Sequence, residues 1–379
     1  MLANVAAEFP YFAGRIWLNS AHQGPLPKSA VLAAQGAVRQ KAFPSSITEE
    51  EFDDVPSRLR AAIGHISKLP SDEIILGNGG SYGLNLLAAG LPWKHGDEIV
   101  IAEDEFPATI IPWLRLRDLG VQIRLISTDG SGGLVAETLR KAITKRTRLV
   151  CASWVNSYTG WRLDLPSISR ECGTHDVLFV LNLSQGLGAR DLNLDGLEVA
   201  AVTCCGYKWL CGPYGTGFAW VEPKLLKRMQ CCQTNWWAHR EWAKKHSFEG
   251  VPPSIGARAF DIGCTANFLN FVPWTVSLQL LHGRNLRNIE VHNEKLTEHF
   301  IEGLDKTRYA VDSTQDPMHR SSVLIISHSD PSMNRRVVDH LRDNKIDVAF
   351  RNKKVRLSPH FFNTRQEIDA TLDALHCCK

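Results

Sequence analysis

Residues 177–221 read VLFVLNLSQGLGARDLNLDGLEVAAVTCCGYKWLCGPYGTGFAWV. The apolar run Val177–Leu181 predicts a buried strand that ends in the polar set Asn182, Ser184 and Gln185. A second run, Val199–Cys204, leads into Gly206, Tyr207, Lys208 and Trp209, and Gly212, Pro213, Gly215 and Gly217 turn the chain into a third strand. A lysine at the end of a buried strand, on a turn stiffened by glycine and proline, is shielded from water. Desolvation favours its neutral amine, which is the form that attacks a carbonyl carbon to make a Schiff base.

Outward from this stretch, short apolar runs alternate with helical ones. The segments 73–77 (EIILG), 97–102 (DEIVIA), 121–127 (VQIRLIS) and 148–154 (RLVCASW) are separated by expected helices over Ser81–Ala89, Ile110–Leu119 and Val135–Ile143. This order indicates an α/β fold with a mainly parallel sheet flanked by helices and ligands at the carboxyl ends of the strands. Upstream, Ser29 is expected to cap a helix carrying Val31, Leu32, Val38 and Phe43. Downstream, a long helical span over 268–300 is expected to break at Pro273. The strands SSVLIIS (321–327), DVAF (347–350) and VRLS (355–358) and a helix over Thr364–Leu375 form a small C-terminal α+β domain joined by the N-terminal segment. The expected division is an N-terminal segment, 1–28, over the active site, a large domain, 29–260, and a long helix with the small domain, 261–379. Trp236, Trp237, Trp242 and Pro252-Pro253 mark a segment that wraps over the site.

The chain has 379 residues, 44% hydrophobic and 22% charged, and a formal net charge of +3. Such a balance, with no long basic block, calls for neither a nucleic-acid nor a membrane partner. No apolar run approaches the roughly 18 residues of a spanning helix, and the N-terminus lacks a basic region followed by an apolar core, so the expected location is cytoplasmic. The ten cysteines include three adjacent pairs and no C-x-x-C, which reads as reduced thiols rather than a metal site or a disulfide framework.

Asn182, Gln185, Tyr207, Lys208, Gly212, Pro213, Gly215 and Gly217 fall on the frame of the class V aminotransferases, in which a Lys lies 26 residues after an Asp and precedes Gly-Pro-x-Gly-x-Gly. The chain resembles this family of pyridoxal phosphate enzymes, whose relatives include cysteine desulfurases, kynureninases and isopenicillin-N epimerase-like proteins. The resemblance implies fold type I, with a seven-stranded-type sheet, and pyridoxal 5'-phosphate as cofactor. Lys208 would hold the cofactor aldehyde. The glycine-rich strand-to-helix turn at Gly80 and Ser81 would hold the phosphate on free helix N–H groups, with Cys205 at a position that is often Ser in the family and Tyr207 offering a hydroxyl. Phe106 would stack on the ring, Ser184 would pack on its other face, and Gln185 would touch its hydroxyl. Thr265 and Cys264 would approach the phosphate of a neighbouring subunit, which implies a homodimer with active sites at the interface.

Arg356 matches the late Arg-x-Ser-Pro-His-x-x-Asn-Thr, whose Arg clamps the substrate carboxylate with a planar bidentate fork; Arg351 is a second candidate. Asn19, His22 and Gln23 match the opening segment that reaches over the active site and are expected to line the substrate pocket. The departure is Asn182 itself. A carboxylate there would hold the ring nitrogen protonated, whereas a neutral amide can only hydrogen-bond. Three readings follow: a specialised enzyme needing less of an electron sink, a degraded enzyme that still binds cofactor, or Asp191 or Asp195 as the true partner.

The implied activity is pyridoxal phosphate chemistry on a small amino-acid-derived substrate through a Schiff base, by elimination, side-chain cleavage or related reactions at the α-carbon. Transamination proper is the alternative, and a catalytically weakened binding protein is the alternative from another class. Cysteine desulfuration fits poorly, because no cysteine lies between Cys264 and Cys377, and those last cysteines read as a frayed tail. Kynureninase activity fits poorly because Thr109 stands where that motif has Asp.

Overall fold

A computed structural model describes residues 5–10, 12–128, 132–232, 235, 256–264 and 266–378. The strands are β1 Ile16–Trp17, β2 Ile75–Gly77, β3 Glu98–Ala102, β4 Gln122–Ile126, β5 Thr147–Ser153, β6 Leu178–Asn182, β7 Ala201–Cys205, β8 Gly217–Val221, β9 Tyr309–Val311, β10 Leu324–His328, β11 Ile346–Asp347, β12 Ala349–Arg351 and β13 Lys354–Leu357. The α-helices are α1 Lys28–Ala42, α2 Glu51–Ser67, α3 Gly80–Gly90, α4 Pro107–Leu114, α5 Ala136–Ala142, α6 Leu165–Thr174, α7 Pro223–Leu226, α8 Phe268–Arg284, α9 Leu286–Gly303, α10 Asn334–Asp343 and α11 Arg365–Cys377.

Seven strands form the main sheet in the order β2-β8-β7-β6-β5-β3-β4. β8 runs antiparallel to both of its neighbours, and the pairs from β7 through β4 are parallel. Both faces are covered, which is why the strand sequences are continuously apolar rather than alternating. Val100, Val150, Phe179 and Phe218 point to one face and pack with Leu59 and Ile63 of α2 and Phe271, Trp274 and Leu278 of α8. Their alternate neighbours Ile99, Ile101, Leu149, Val180 and Ala219 meet Leu84 and Leu87 of α3 and Trp113 of α4 on the other face.

A second sheet, β12-β13-β10-β9, is antiparallel and packs through Leu324, Ile326, Val355 and Leu357 on Leu296 and Phe300 of α9, Val337 and Leu341 of α10 and Leu372 of α11. The N-terminal segment joins it: β1 pairs in parallel with β11, and Ser358 N donates to Leu18 O at 2.8 Å. α11 starts on a capping box in which Thr364 and Glu367 satisfy each other's backbone N–H groups.

Three local expectations are corrected. Ser29 makes no cap; α1 begins at Lys28 behind Pro27 with no side-chain cap. Leu32 and Val38 of α1 and Phe43 just after it are 64%, 58% and 71% exposed, and the helix packs on α8 with Ala30 and Ala37 buried. The long span 268–300 runs through Pro273 and breaks instead at Asn285, which takes φ 63°, donates its N–H to His282 O and caps α9 by accepting from Arg287 N at 2.9 Å. Asn adopts the left-handed region at modest cost and can end one helix and begin the next. The cysteines at the end are not frayed: Cys377 closes α11 and Cys378 is buried in the core beneath the second sheet.

Candidate active site

The turn that carries Lys208 is held from several sides. Tyr207 O accepts from Gly24 N at 2.9 Å, Lys208 O from Cys211 N at 3.0 Å, and Trp209 O from His360 Nε2 at 3.0 Å. Trp209 Nε1 donates to Gln185 Oε1 at 2.8 Å. Burial drives the His360 pKa down to about 3, so the neutral ring serves as a fixed donor that ties the Ser-Pro-His segment after β13 to the lysine turn. The glycines of the turn are there for packing: a Cβ on Gly206 or Gly212 would run into the Trp274 indole, which is fully buried on α8. The loop after Asn19 is equally close. A Cβ on Gly24 would overlap the Lys208 carbonyl oxygen. Gly24→Ala is therefore expected to destabilise the protein by about 1–3 kcal/mol and to weaken ligand binding at Lys208, which thermal denaturation and a binding titration would show together; an unchanged melting temperature would contradict this packing.

Lys208 is half-buried, and its Nζ lies 5.5 Å from the centre of the Phe106 ring and 5.9 Å from that of Tyr207. Burial lowers its pKa below the ordinary value; Arg356 and Arg351 add to this, and Cys205 and Cys204 oppose it. Among the described residues no carboxylate pairs with it. The amine is therefore held toward its neutral, nucleophilic form.

Every cofactor-side residue expected from the sequence lines one cavity with Lys208, namely Gly80, Ser81, Phe106, Asn182, Ser184, Gln185, Cys205 and Tyr207. The exception is Thr265, which lies outside the described residues, as do Trp236, Trp237, Trp242 and Pro252-Pro253. At one end, α3 begins at Gly80 with Gly79 as its cap and no side chain on its first N–H groups. A Cβ on Gly80 would come within 2.8 Å of Ser184 Oγ, so the glycine keeps this end of the cavity open. Ser184 Oγ also accepts from Cys205 N at 3.0 Å, which closes the floor between β6 and β7. The Tyr207 hydroxyl is pushed well above its ordinary pKa by burial and remains a donor, and its ring packs at 4.6 Å on that of Tyr214.

Asn182, at the end of β6, is buried. Its Nδ2 donates to Thr109 Oγ1 at 3.0 Å and its Oδ1 accepts from Ser184 N at 3.0 Å. The alternative partners are elsewhere: Asp191 pairs with Lys68 at 2.7 Å, and Asp195 is an exposed loop residue. Gln185 is heavily committed, because Nε2 donates to Ala21 O and Ser157 Oγ while Oε1 receives the Trp209 indole. One lone pair on Oε1 is what it has left for a ligand.

Arg356 is 2% exposed; its Nη1 donates to Ser157 O at 3.1 Å and Ser157 Oγ at 3.0 Å, and its Nε is buried without a partner. Burial, then the field of Arg351, pulls its pKa down to about 10. A buried guanidinium with an unused edge is a site for an anion. His22 is exposed, with its pKa lowered by partial burial and then by Arg351, Arg356 and Lys208, which places it beside the same cations. Asn19 is buried with Oδ1 unpartnered and bridges to Ser358. Gln23 is exposed, and its carbonyl accepts the Trp17 indole N–H.

Sequence reasoning missed Ser153 and Ser157, both on the cavity wall. The signal available was their place at and just past the carboxyl end of the apolar run 148–154. The set fits pyridoxal phosphate by its chemistry: an uncapped helix N-terminus opened by Gly80, a desolvated amine without a counter-ion and an unpartnered buried Arg356 Nε.

A family model described as "Aminotransferase class-V" matches residues 45–370. A probable cysteine desulfurase of Methanothermobacter thermautotrophicus is 22% identical over 96% of this chain and 95% of its own length. Isopenicillin N epimerase of Streptomyces clavuligerus is 24% identical over 94% and 93%. Among solved structures, the cystine C–S lyase C-DES superposes in two forms, each covering 98% of this chain and 99% of that one. The form with its product cysteine persulfide has TM-score 0.88 at 22% identity, and a lysine-to-alanine mutant with glycine covalently linked to the PLP cofactor has TM-score 0.89 at 21%.

Proposed function

We propose that this protein, which belongs to the class-V aminotransferase family, is a pyridoxal-phosphate-dependent enzyme that acts on a small amino-acid-derived substrate by lyase chemistry, elimination or side-chain cleavage at the α-carbon. The observation that carries the reading is the placement of Lys208, desolvated and without a carboxylate partner, on a cavity between Phe106 and the uncapped start of α3.

Bound there, pyridoxal phosphate supplies an aldehyde carbon and a conjugated ring that accepts electron density from the substrate α-carbon. The first N–H groups of α3, with Ser81, would hold the phosphate. Phe106 and Ser184 would pack on the two ring faces, and Asn182 would meet the ring nitrogen. Arg356 would take the substrate carboxylate on its free edge and so orient the α-carbon. Lys208 would supply the amine that holds the aldehyde and would hold or move the proton at the substrate α-carbon. The flat, aprotic ring of Phe106 can carry no proton, so that work falls on Lys208. The exposed apolar residues Leu32 and Val38 of α1 and Phe43 just after it, with Leu269 on α8, support a homodimer.

Lyase chemistry is favoured over transamination because Asn182 offers an amide rather than a carboxylate to the ring. Incubation with a panel of amino acids, assayed for keto acid, ammonia and sulfide, tests the reading. Release of a side-chain fragment is expected, and recovery of the aminated cofactor with one equivalent of keto acid would point to transamination instead.

The same Asn182 favours one second reading, a weakened cofactor-binding protein. Asn182→Asp separates the two. A specialised enzyme is expected to lose activity, because the carboxylate removes the N–H that Thr109 accepts; a rise in turnover of about tenfold or more, ~1.4 kcal/mol, would favour the weakened protein.

A further inference from the structure

Beneath Asn182 runs a line of polar side chains drawn from separate elements. Glu105 sits in the turn between β3 and α4, Thr109 in the first turn of α4, and Ser153 at the end of β5, directly opposite Asn182 in the β5–β6 pairing. Glu105 Oε2 accepts from Ser153 Oγ at 2.6 Å, and its Oε1 from Ser153 N at 2.5 Å. Ser153 Oγ lies 3.5 Å from Thr109 Oγ1, which accepts from Asn182 Nδ2 at 3.0 Å. Glu105 is 6% exposed and Thr109 fully buried.

A hydroxyl has one hydrogen to give, and this decides the direction of the line. Ser153 spends its hydrogen on Glu105, so between Ser153 and Thr109 the hydrogen must come from Thr109. Thr109 in turn receives from Asn182. Donation therefore runs one way, from Asn182 through Thr109 and Ser153 to Glu105. Asn182 Oδ1 is occupied by Ser184 N, which leaves the second Nδ2 hydrogen, and both Asn182 and Ser153 line the cavity. With Glu105 ionised, the floor presents a donor, suited to a neutral ring nitrogen.

We propose that Glu105 is a positioning residue that acts through Ser153 and Thr109 to fix the Asn182 amide as a donor, and that its ionisation sets the protonation preference of the cofactor ring nitrogen; this rests on the pyridoxal phosphate reading of the cavity. Protonation of Glu105 removes the buried charge beneath the floor, frees the Ser153 hydrogen and lets the Ser153–Thr109 step reverse, while Ser184 N keeps Asn182 Oδ1 engaged. Burial raises the Glu105 carboxyl to about 7, against the two hydrogen bonds from Ser153, so the change falls in the neutral range. The titratable groups facing it are few: Asp104 on its own turn, whose pKa burial also raises, and Cys151 on β5, held as a neutral thiol by burial. From β6 and α4 the neighbours are the neutral Asn182 and Thr109. Among the described residues no lysine or arginine pairs with Glu105.

The test compares the wild-type holoenzyme with Glu105→Gln by following absorption and fluorescence of bound pyridoxal phosphate between about pH 5 and 9. The wild type is expected to show a spectral transition near neutrality that Glu105→Gln removes or moves by about one unit or more, with cofactor affinity changed by less than about threefold. Thr109→Val, which cuts the line without touching the carboxyl, is expected to remove the same transition and covers the case in which Glu105→Gln folds poorly. A second readout needs no cofactor. The folded carboxyl keeps its proton up to about pH 7, whereas the unfolded one releases it near 4.5, so its contribution to stability is full below 4.5 and is lost as pH rises through 7. The melting temperature of the apoprotein should fall less across that window in Glu105→Gln than in the wild type. Identical spectral titrations in wild type and both variants, with normal cofactor uptake, would overturn the assignment alone; failure of the wild type to take up cofactor would overturn the reading of the cavity, and the assignment with it.

Discussion

Lys208→Ala is expected to lower turnover by about 10³-fold or more, since it removes the group proposed as both nucleophile and proton carrier. Covalent retention of pyridoxal phosphate should vanish with it. The fold should survive, because the turn is held by backbone carbonyls of Tyr207, Lys208 and Trp209 and by the Trp209 indole, none of which involves the Lys208 amine. Removing a desolvated amine that no carboxylate pairs with among the described residues should leave the melting temperature equal or raised in the absence of cofactor. A variant that stays folded, binds cofactor only reversibly and loses turnover fits this account; one that keeps more than about a tenth of the activity contradicts it.

Arg356→Ala carries the second large effect. The guanidinium is buried, with Nη1 on Ser157 and Nε unpartnered, so a substrate carboxylate would complete a desolvated, charge-assisted pair. Truncating one side of such a pair costs about 3–4 kcal/mol, or roughly 10²–10³ in kcat/KM. Most of the loss should fall on KM, because the carboxylate is bound in the ground state as well as in the transition state. Arg356→Lys should recover little of it, since an ammonium cannot reproduce the planar fork that holds Ser157 and a ligand at once. Binding of a carboxylate-free amine should be unaffected by either substitution, which separates this role from a structural one.

The parts of the molecule visible in sequence were those whose signal is local. Buried parallel strands such as Ile99–Ala102 and Leu149–Ala152 are apolar without a break, so both their existence and their burial on two faces could be read. The lysine turn announced itself through its glycines, whose requirement is the close approach of Trp274. Short strands such as Ile346–Asp347 are set by pairing with Ile16–Trp17 more than three hundred residues away, and two residues hold no period to detect. α2 escaped notice because Pro56 stands inside it, beyond the first turn, where proline ordinarily kinks or breaks a helix. The helix break at Asn285 depends on one left-handed residue, which the nearby Pro273 outweighs in any reading of composition.

The candidate site divides in the same way. Gly80, Phe106, Asn182, Lys208 and Arg356 stand in recognisable local motifs. Ser157 does not; it matters because it holds Arg356 and Gln185 together from a loop after β5. The line from Glu105 to Asn182 joins residues from β3–α4, β5 and β6, so it exists only once those strands lie side by side. The departure at Asn182, taken alone, reads as a lost charge; in the fold its amide is held at both ends.

The central claim is that Lys208 is the residue that holds the cofactor. Borohydride reduction of the protein loaded with pyridoxal phosphate, followed by peptide mass mapping, tests it most directly. The account predicts one phosphopyridoxyl group per chain, on Lys208 and on no other lysine. A label spread over exposed lysines such as Lys28 or Lys141, or none at all, would contradict it.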